Sequence, residues 1–432
     1  MKRAVRILVP LLLLASTFGA TAPMAPNSAL KWKATKIQIA VSSSLTRENS
    51  AIKAGSDVEG AIRRSLKTWE KVANIEFVET STDRQNVSPS GAAGDGTSLI
   101  TIAPSAENVL LFSKDPDQVA ATTRLFYSGR GFITEADIVL NPYQQFSTDG
   151  TFGTYDLEST ITHEIGHLLG LEHSTVIGST MHESFGKNGV YGLQHFAARS
   201  LSASDIAAVR AIYGSRGNVE CCGQVSGKLL FSSGKLVKAA EVWLEDAVTG
   251  DVETKTLSTI DGTFRFEGIA TGSYKIFAQD PRQLKSTFPA QRIGEVSVEK
   301  GETNASTRRI TLSPRNLELS YLGFNGQLSD VAVSLNAGRT YTIYIGGKNL
   351  DPKAISISFN SPYITVVPNT LRSQDYDRVS AVSFEVRIDP RAPNGSYSIF
   401  AETRDGDRSS LVGALSIESF SNPFSTFVLS EE

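Results

Sequence analysis

Three of the five histidines in this 432-residue chain lie close together, in the segment 163–173 with the sequence HEIGHLLGLEH. On a helix, His163 and His167 are four residues apart and would project from one face, close enough to bind one metal ion. Gly170 would end that helix and let the chain turn, so that His173 becomes a third ligand. The spacing therefore predicts a catalytic zinc site of three neutral imidazoles, with the fourth tetrahedral position open for water.

Glu164 is the predicted general base of this site. A zinc ion lowers the pKa of a bound water toward ~7 and polarises a carbonyl, which makes hydroxide attack on an amide feasible near neutral pH. Glu164 follows the first ligand and can reach that water. The alternative is a buried amphipathic helix that contains histidines by chance, and the added glycine and third histidine argue against it.

The helix that must carry these ligands is visible in the sequence. Acidic residues Asp156 and Glu158 suit its first turn, and one apolar face (Leu157, Ile161, Ile165, Leu168, Leu169) leads to Gly170. Two more helices are predicted, one from a capping box at 56–59 with Ser56 as N-cap to about Asn74, the other from Ser204 to Tyr213. Short strands are expected at 37–41, 76–79, 99–103 and 136–140, with a polar loop over 81–98.

The complete signature HExxHxxGxxH resembles that of the metzincin metalloproteases, and Ser174 after the third histidine resembles the matrixins among them. The triplet 179–181 is similar to the family's Met-turn, which implies that Met181 lies beneath the zinc. Segments 135–138, 201–205 and 212–214 are similar to framing segments of the family. The resemblance, over roughly 32–214, implies an α+β domain with a twisted mixed sheet and three helices, and an endopeptidase acting on protein or peptide substrates.

Three departures from the matrixin pattern affect regulation, metal content and specificity. No cysteine precedes Cys221 and no histidine precedes His163. We therefore expect neither an N-terminal cysteine switch nor the second, structural zinc. The Pro-x-Tyr that usually follows the Met-turn is replaced around 182–185, so the wall of the primary specificity pocket is expected to differ. Residues 119–125 resemble the edge strand that pairs with an extended substrate, although an ordinary edge strand would have the same sequence.

Several other residues have two interpretations. Asp137, Asp156 and Glu158 are candidates for calcium binding, which is common in the family, or for helix-cap and surface roles. His182 is a candidate for a substrate contact or for a solvated loop histidine, and His195 has no assigned role. The adjacent Cys221 and Cys222 could form a vicinal disulfide, an intermolecular bridge or a thiolate latch on the zinc.

The N-terminal residues predict export. Basic residues at 2, 3 and 6, an apolar run over 7–14 and the triplet Ala20-Thr21-Ala22 are typical of a secretory signal peptide over residues 1–22. The apolar run is shorter than the ~20 residues that a membrane span needs, and no other segment is long and apolar enough. We expect a secreted, periplasmic or extracellular protein without a membrane span.

The remaining chain divides into three predicted domains. Residues 23–215 form the metalloprotease domain. Residues 216–314 and 315–432 alternate strand-like runs with turn signals, which predicts two all-β sandwich domains. The first is similar to carboxypeptidase-regulatory or prealbumin-like domains and the second to an immunoglobulin-like module. These modules are expected to hold the enzyme near a substrate, surface or glycan, so that truncation after Ser215 would leave cleavage of small peptides nearly unchanged.

Composition excludes some functions. With 42 Lys and Arg against 45 Asp and Glu, the chain has a formal charge of −3 and lacks the basic surface that nucleic-acid binding needs. Two cysteines are too few for a disulfide scaffold or a Cys-rich zinc fold. The alternative function is a secreted adhesion or carbohydrate-binding protein with a vestigial metal site. An intact Glu164 argues against it, because loss of the base is the simplest way to inactivate such a site.

Overall fold

A computed structural model of the chain describes residues 30–89, 94–114, 117, 119–184, 186–190, 198–217, 221–281, 287–301, 303–313, 315–376 and 378–418. The N-terminal part combines a mixed sheet with helices. Its elements are β1 Lys31–Trp32, β2 Lys36–Ser42, α1 Val58–Glu70, β3 Glu76–Thr82, β4 Leu99–Thr101, α2 Ala106–Leu110, β5 Ala121–Tyr127, β6 Phe132–Leu140, β7 Phe146–Ser147, β8 Tyr155–Asp156, α3 Leu157–Leu168 and α4 Ala203–Tyr213.

The main sheet of this part has six strands. Five run in the order β1-β6-β4-β2-β3, and β5 pairs with β6. Strand β5 is antiparallel to β6, whereas the other pairs are parallel. Within the described residues β5 has no second neighbour, so it forms an edge of the sheet. The predicted mixed sheet is present. Strand β5, which resembles the substrate-pairing strand, lies at its edge.

The three predicted helices are present as α1, α3 and α4, and the short α2 was not predicted. The predicted N-cap of α1 is wrong: the cap is Asp57, whose Oδ1 accepts a hydrogen bond from the Gly60 N–H at 3.0 Å. Asp57 also pairs with Arg64 across 2.9 Å, whereas the Ser56 hydroxyl has no hydrogen-bond partner. The Asp57 carboxylate thus caps the helix N-terminus and also pairs with Arg64 two turns later. Ser56 makes neither contact.

Helix α3 lies in the middle of the N-terminal core. Its residues Ile161, Ile165 and Leu168 are fully buried. The indole N–H groups of Trp69 and Trp32 donate to the Thr162 and Leu168 carbonyls, each across 2.8 Å. Burial of each large aliphatic side chain contributes about 1.5–3 kcal/mol. The helix is therefore held on several sides, which fixes the side chains that project from it.

Two all-β regions follow. The first β region consists of β9 Cys221–Phe231, β10 Glu241–Asp246, β11 Val252–Leu257, β12 Thr263–Ala270, β13 Gly272–Gln279, β14 Gln291–Val298 and β15 Thr303–Ile310. Its two sheets have the strand orders β11-β10-β13-β14 and β12-β9-β15. Val242 and Ile276 of one sheet share an apolar core with Leu229 and Phe264 of the other.

The second β region consists of β16 Glu318–Phe324, β17 Gln327–Ser329, β18 Val333–Leu335, β19 Thr340–Lys348, β20 Ile355–Phe359, β21 Ile364–Val366, β22 Arg372–Tyr376, β23 Val379–Ile388, β24 Gly395–Thr403 and β25 Arg408–Ile417. Its sheets run β17-β16-β19-β23-β21, with β22 paired to β23, and β18-β25-β24-β20. They also share one core. A part that combines a mixed sheet with helices, followed by an all-β part, confirms the predicted fold class at that level. The domain limits and sandwich families stay predictions.

The two β regions contact the N-terminal part through a small apolar cluster. Val176, in the loop after His173, is fully buried against Trp243 and Phe277 of the first β region and Phe400 and Val412 of the second. The Trp243 and Phe277 rings stack with centroids 5.3 Å apart. All three parts of the chain thus contribute to one packed junction, which the prediction of independent modules did not include.

No helix within the described ranges is long and apolar enough to cross a membrane. The predicted signal peptide, residues 1–22, lies outside those ranges.

Candidate metal centre

Helix α3 presents the first two histidines. Its N-cap is Asp156, which accepts a hydrogen bond from the Ser159 N–H at 2.9 Å. Each ring is oriented by its Nδ1, which faces a backbone carbonyl: that of Thr180 for His163 (2.7 Å) and that of Leu171 for His167 (2.8 Å). A neutral imidazole that donates Nδ1–H to a carbonyl keeps the Nε2 lone pair free for a metal.

Gly170 makes the turn that brings in the third histidine. Its φ is +90°, and its N–H donates to the His167 carbonyl at 2.8 Å. A Cβ at this position would lie 2.1 Å from the Leu30 carbonyl oxygen, so the turn requires glycine. After the turn, the Nε2 atoms of His167 and His173 are 3.1 Å apart.

The three side chains fit one zinc ion. One ligand nitrogen from each of His163, His167 and His173 lies within 4.8 Å of the others, as tetrahedral coordination requires. Burial lowers the pKa of all three rings, that of His167 to about 4, so they are neutral near pH 7. His163 is buried, whereas His173 is exposed. The cluster therefore opens to solvent on one side, where a substrate could approach.

Glu164 is buried beside this cluster and has one side-chain partner. The Thr123 hydroxyl, on the edge strand β5, lies 2.6 Å from Glu164 Oε2 and donates to it. Burial raises the pKa of the Glu164 carboxyl to about 7, and the Thr123 hydrogen bond opposes that shift. A pKa near neutrality suits a group that must both accept and release a proton. Thr123 lies in the edge-strand candidate 119–125, but its contact with Glu164 was not predicted, because the two residues are 41 positions apart.

Met181 packs directly under helix α3. A Cβ at Gly166, between the two helical histidines, would lie 2.1 Å from the Met181 sulfur. Glycine at this position thus allows the methionine to approach the helix, as the Met-turn resemblance implies. The close contact gives Gly166 a structural role that its place in the motif did not reveal.

Asp205 holds the Met-turn and was missed as a functional residue. Its buried carboxylate accepts from the backbone N–H groups of Thr180 (2.9 Å) and Met181 (3.1 Å) and from the Ser179 hydroxyl. It also completes a capping box with Ser202 at the start of α4. The Ser-x-x-Asp spacing was visible in the sequence and could have identified the cap, although not the turn that it supports.

The calcium candidates have other partners. Asp156 pairs with Arg199 at 2.5 Å, and Glu158 pairs with Arg64 at 2.8 Å. Asp137 accepts backbone N–H groups at 3.1 and 3.2 Å. Burial and the nearby Glu135 raise the pKa of Asp137 to about 7. All three residues are buried, so the surface interpretation is wrong, while Asp156 has the helix-cap role. These contacts give no support for calcium binding.

The remaining candidates are placed as follows. His182 is half-buried and its Nδ1 lies 3.3 Å from the Ser174 carbonyl oxygen, so it is not a fully solvated histidine. His195 lies outside the described residues. Cys221 and Cys222 are joined to each other in a disulfide, the first of the three alternatives, so neither carries a free thiol for a latch.

Comparison with known proteins agrees with this geometry. The matrixin family model matches residues 31–214. This part of the chain resembles the matrixin metalloproteases.

The relatives of the matrixin-like domain are distant. Interstitial collagenase of Oryctolagus cuniculus is 28% identical over 158 residues, which cover 37% of this chain and 28% of that protein. The hatching enzyme of Paracentrotus lividus is 28% identical over 169 residues, covering 37% and 23%. Metalloendoproteinase 4-MMP of Arabidopsis thaliana is 25% identical, covering 38% and 42%. The chain thus spans less than half the length of each of these relatives.

The likeness of the chain to solved β-domain proteins, which concerns its β regions, is weak. The major pilin subunit of Bacillus cereus aligns over 45% of this chain and 69% of its own, with 12% identity and a TM-score of 0.19. A score this low supports no conclusion about their fold family or binding.

Proposed function

We propose that the chain is an exported zinc-dependent endopeptidase that hydrolyses peptide bonds of protein substrates. The observation that carries the proposal is the buried Glu164, held by Thr123 next to three histidines whose ligand nitrogens converge. The signal-peptide pattern at residues 1–22 supports export. The proposed roles of the β regions are contacts with a substrate, a surface or a glycan.

His163, His167 and His173 would hold the zinc, and Glu164 would move the protons. When bound, the ion supplies Lewis-acid polarisation of the scissile carbonyl and lowers the pKa of a water toward ~7. Glu164 accepts the proton of the attacking water and then delivers it to the leaving amine nitrogen. Thr123 keeps the Glu164 carboxylate in place and acts as a positioning residue.

The free edge of β5 would align the substrate. An extended peptide can add to an exposed strand edge through main-chain hydrogen bonds, which orient it without demanding a particular sequence. Strand β5 carries Thr123, so a peptide paired there would pass Glu164. Specificity must then come from pockets around the metal centre.

Loss of a histidine ligand should remove the zinc. His163→Ala and His167→Ala are expected to reduce zinc content from one ion per chain to near zero, and His173→Ala should act in the same direction but more mildly if the two helical ligands retain the ion. Affinity should fall as pH is lowered, because imidazole protonation competes with the metal. Metal analysis of the purified variants measures this, and undiminished zinc in His163→Ala would contradict the assignment.

Loss of the Thr123 hydroxyl should affect turnover more than binding. Thr123→Val keeps the side-chain shape but removes a hydrogen bond to a carboxylate, a loss worth about 1.5 kcal/mol or more, so kcat should fall about tenfold with KM little changed. Thr123→Ser should restore most of kcat. Thr134→Val is the matched control, because Thr134 on β6 donates to the Phe126 carbonyl (3.2 Å) away from Glu164. Equal losses in both valine variants would exclude a specific role for Thr123.

An assay on the purified full chain tests the proposed function directly. Cleavage of unstructured peptides should be present without chelator and absent with it, and should return when zinc is added. A chain that binds metal but cleaves no peptide would favour the alternative of an adhesion or carbohydrate-binding protein with a vestigial site.

A further inference from the structure

The second β region is anchored beside the Met-turn. The Ile177 N–H donates to the Val412 carbonyl at 3.2 Å, next to the buried Val176 side chain. A Cβ at Gly178 would lie 2.6 Å from the Gly413 carbonyl oxygen, which shows how closely the two backbones approach. The β region therefore contacts the loop that connects His173, the third histidine of the candidate metal centre, to Met181.

A cavity separates the segment after the Met-turn from the second β region. It has a volume of about 170 Å³ and is open to solvent, and His182, Glu183 and Ser184 line it. Asp330 and Val331 of the second β region line it as well. The backbone of His182 forms a bridge with Ser174, the residue after the third histidine. The cavity therefore lies next to the metal centre, where the Pro-x-Tyr segment of the matrixin pattern is replaced.

Two of the polar side chains that line this cavity, Glu183 and Asp330, are acidic, beside His182 and three serines. Asp330 is half-buried and accepts a hydrogen bond from the Ser184 hydroxyl at 3.2 Å, and Glu183 is exposed. Among the residues that the structure describes, neither carboxylate has a lysine or arginine within ion-pair distance. The two carboxylates therefore carry negative charge that no lysine or arginine among the described residues neutralises.

The rest of the lining is partly apolar. Leu322 and Leu411 are 2% and 8% exposed and line the cavity together with Ile177. An apolar wall beside two carboxylates matches the shape of a long basic side chain, which buries its methylene stem and keeps its charged end at polar groups. A short or acidic side chain would use neither feature.

We propose that the second β region forms one wall of the substrate cleft and that this cavity binds a lysine or arginine side chain of the peptide substrate, near the scissile bond. The proposal rests on the proposed endopeptidase function. The C-terminal part is then a specificity element of the cleft, and Asp330 is a specificity-determining residue in addition to any surface contact that the β regions make.

Paired peptides test the proposal on the full chain. One series places lysine at each position flanking the scissile bond, and the other places norleucine, which has a similar stem without the charge. The parent should prefer lysine at one position by about fivefold in kcat/KM, the size expected for one partly exposed ion pair. Asp330→Asn should remove most of that preference, and Asp330→Lys should reverse it in favour of norleucine. Glu385→Gln on β23, a carboxyl-to-amide change outside the cavity, should leave the preference intact.

A binding measurement separates this proposal from the enzymatic one. The Glu164→Ala variant should bind the lysine peptide more tightly than the norleucine peptide, and the added Asp330→Asn change should abolish the difference. If the parent cleaves no peptide yet this difference is seen, the endopeptidase function fails while the binding site stands. A lysine preference that is absent, or unchanged by Asp330→Asn in both measurements, would overturn the proposed site.

Discussion

Glu164→Ala is expected to lower kcat for peptide cleavage by about 10²–10⁴-fold, because it removes the group that accepts and returns the proton. Zinc content and thermal unfolding should stay near those of the parent, since the three imidazoles and the core around α3 are unchanged. Steady-state kinetics, metal analysis and a melting curve on the same preparation test this expectation.

Two further variants sharpen that experiment. Glu164→Asp should be nearly as harmful, because a carboxylate shorter by one methylene no longer reaches the same position or the Thr123 hydroxyl. Glu172→Ala is the matched control, an exposed carboxylate of the same motif for which no contact with the proton path is seen. If Glu164→Ala cleaved peptides at the parent rate, Glu164 would not be the base.

Val176→Asp is expected to disrupt the metal centre without changing any residue in it. Val176 is fully buried among apolar side chains of both β regions, and an unpaired carboxylate there costs several kcal/mol. Since Val176 lies between His173 and Met181, we expect a lower melting temperature, weaker zinc binding and at least a tenfold loss of peptide cleavage. Val248→Asp is the control, because Val248 in the first β region is 71% exposed and should tolerate the charge.

Truncation after Ser215 should resemble Val176→Asp. The sequence predicted that removal of the β regions would spare small-peptide cleavage, but the structure leads us to expect the opposite, because truncation exposes Val176 and removes the Val412 carbonyl that binds the loop. A truncated chain with full zinc content and parent activity would show that the loop holds its shape alone.

The local geometry of the site follows from the amino-acid sequence alone. Ligands at i and i+4 share a helix face whatever surrounds them, which places His163 and His167. A residue with positive φ after the last turn must be glycine or strained, which places Gly170 and the return of His173. The helices were located for the same reason, since period 3.6 and capping residues act over a few neighbours. The predicted start of one helix was nevertheless wrong, because the neighbouring Asp57 caps α1 in place of Ser56.

Contacts between groups that are distant along the chain depend on the tertiary structure. Thr123 and Glu164 are 41 residues apart, and Asp205 lies 24 residues beyond the Met181 N–H that it binds. Val176 looks like an ordinary loop valine, yet it packs against residues more than 60 positions away in two other parts of the chain. A hydrophobic sequence pattern predicts that a face is buried, but it does not predict which residues cover that face. The hydrophobic effect depends on the apolar area removed from water and has no preferred direction. The support of Glu164, the clamp on the Met-turn and the proposed wall of the cleft are therefore properties of the packed chain.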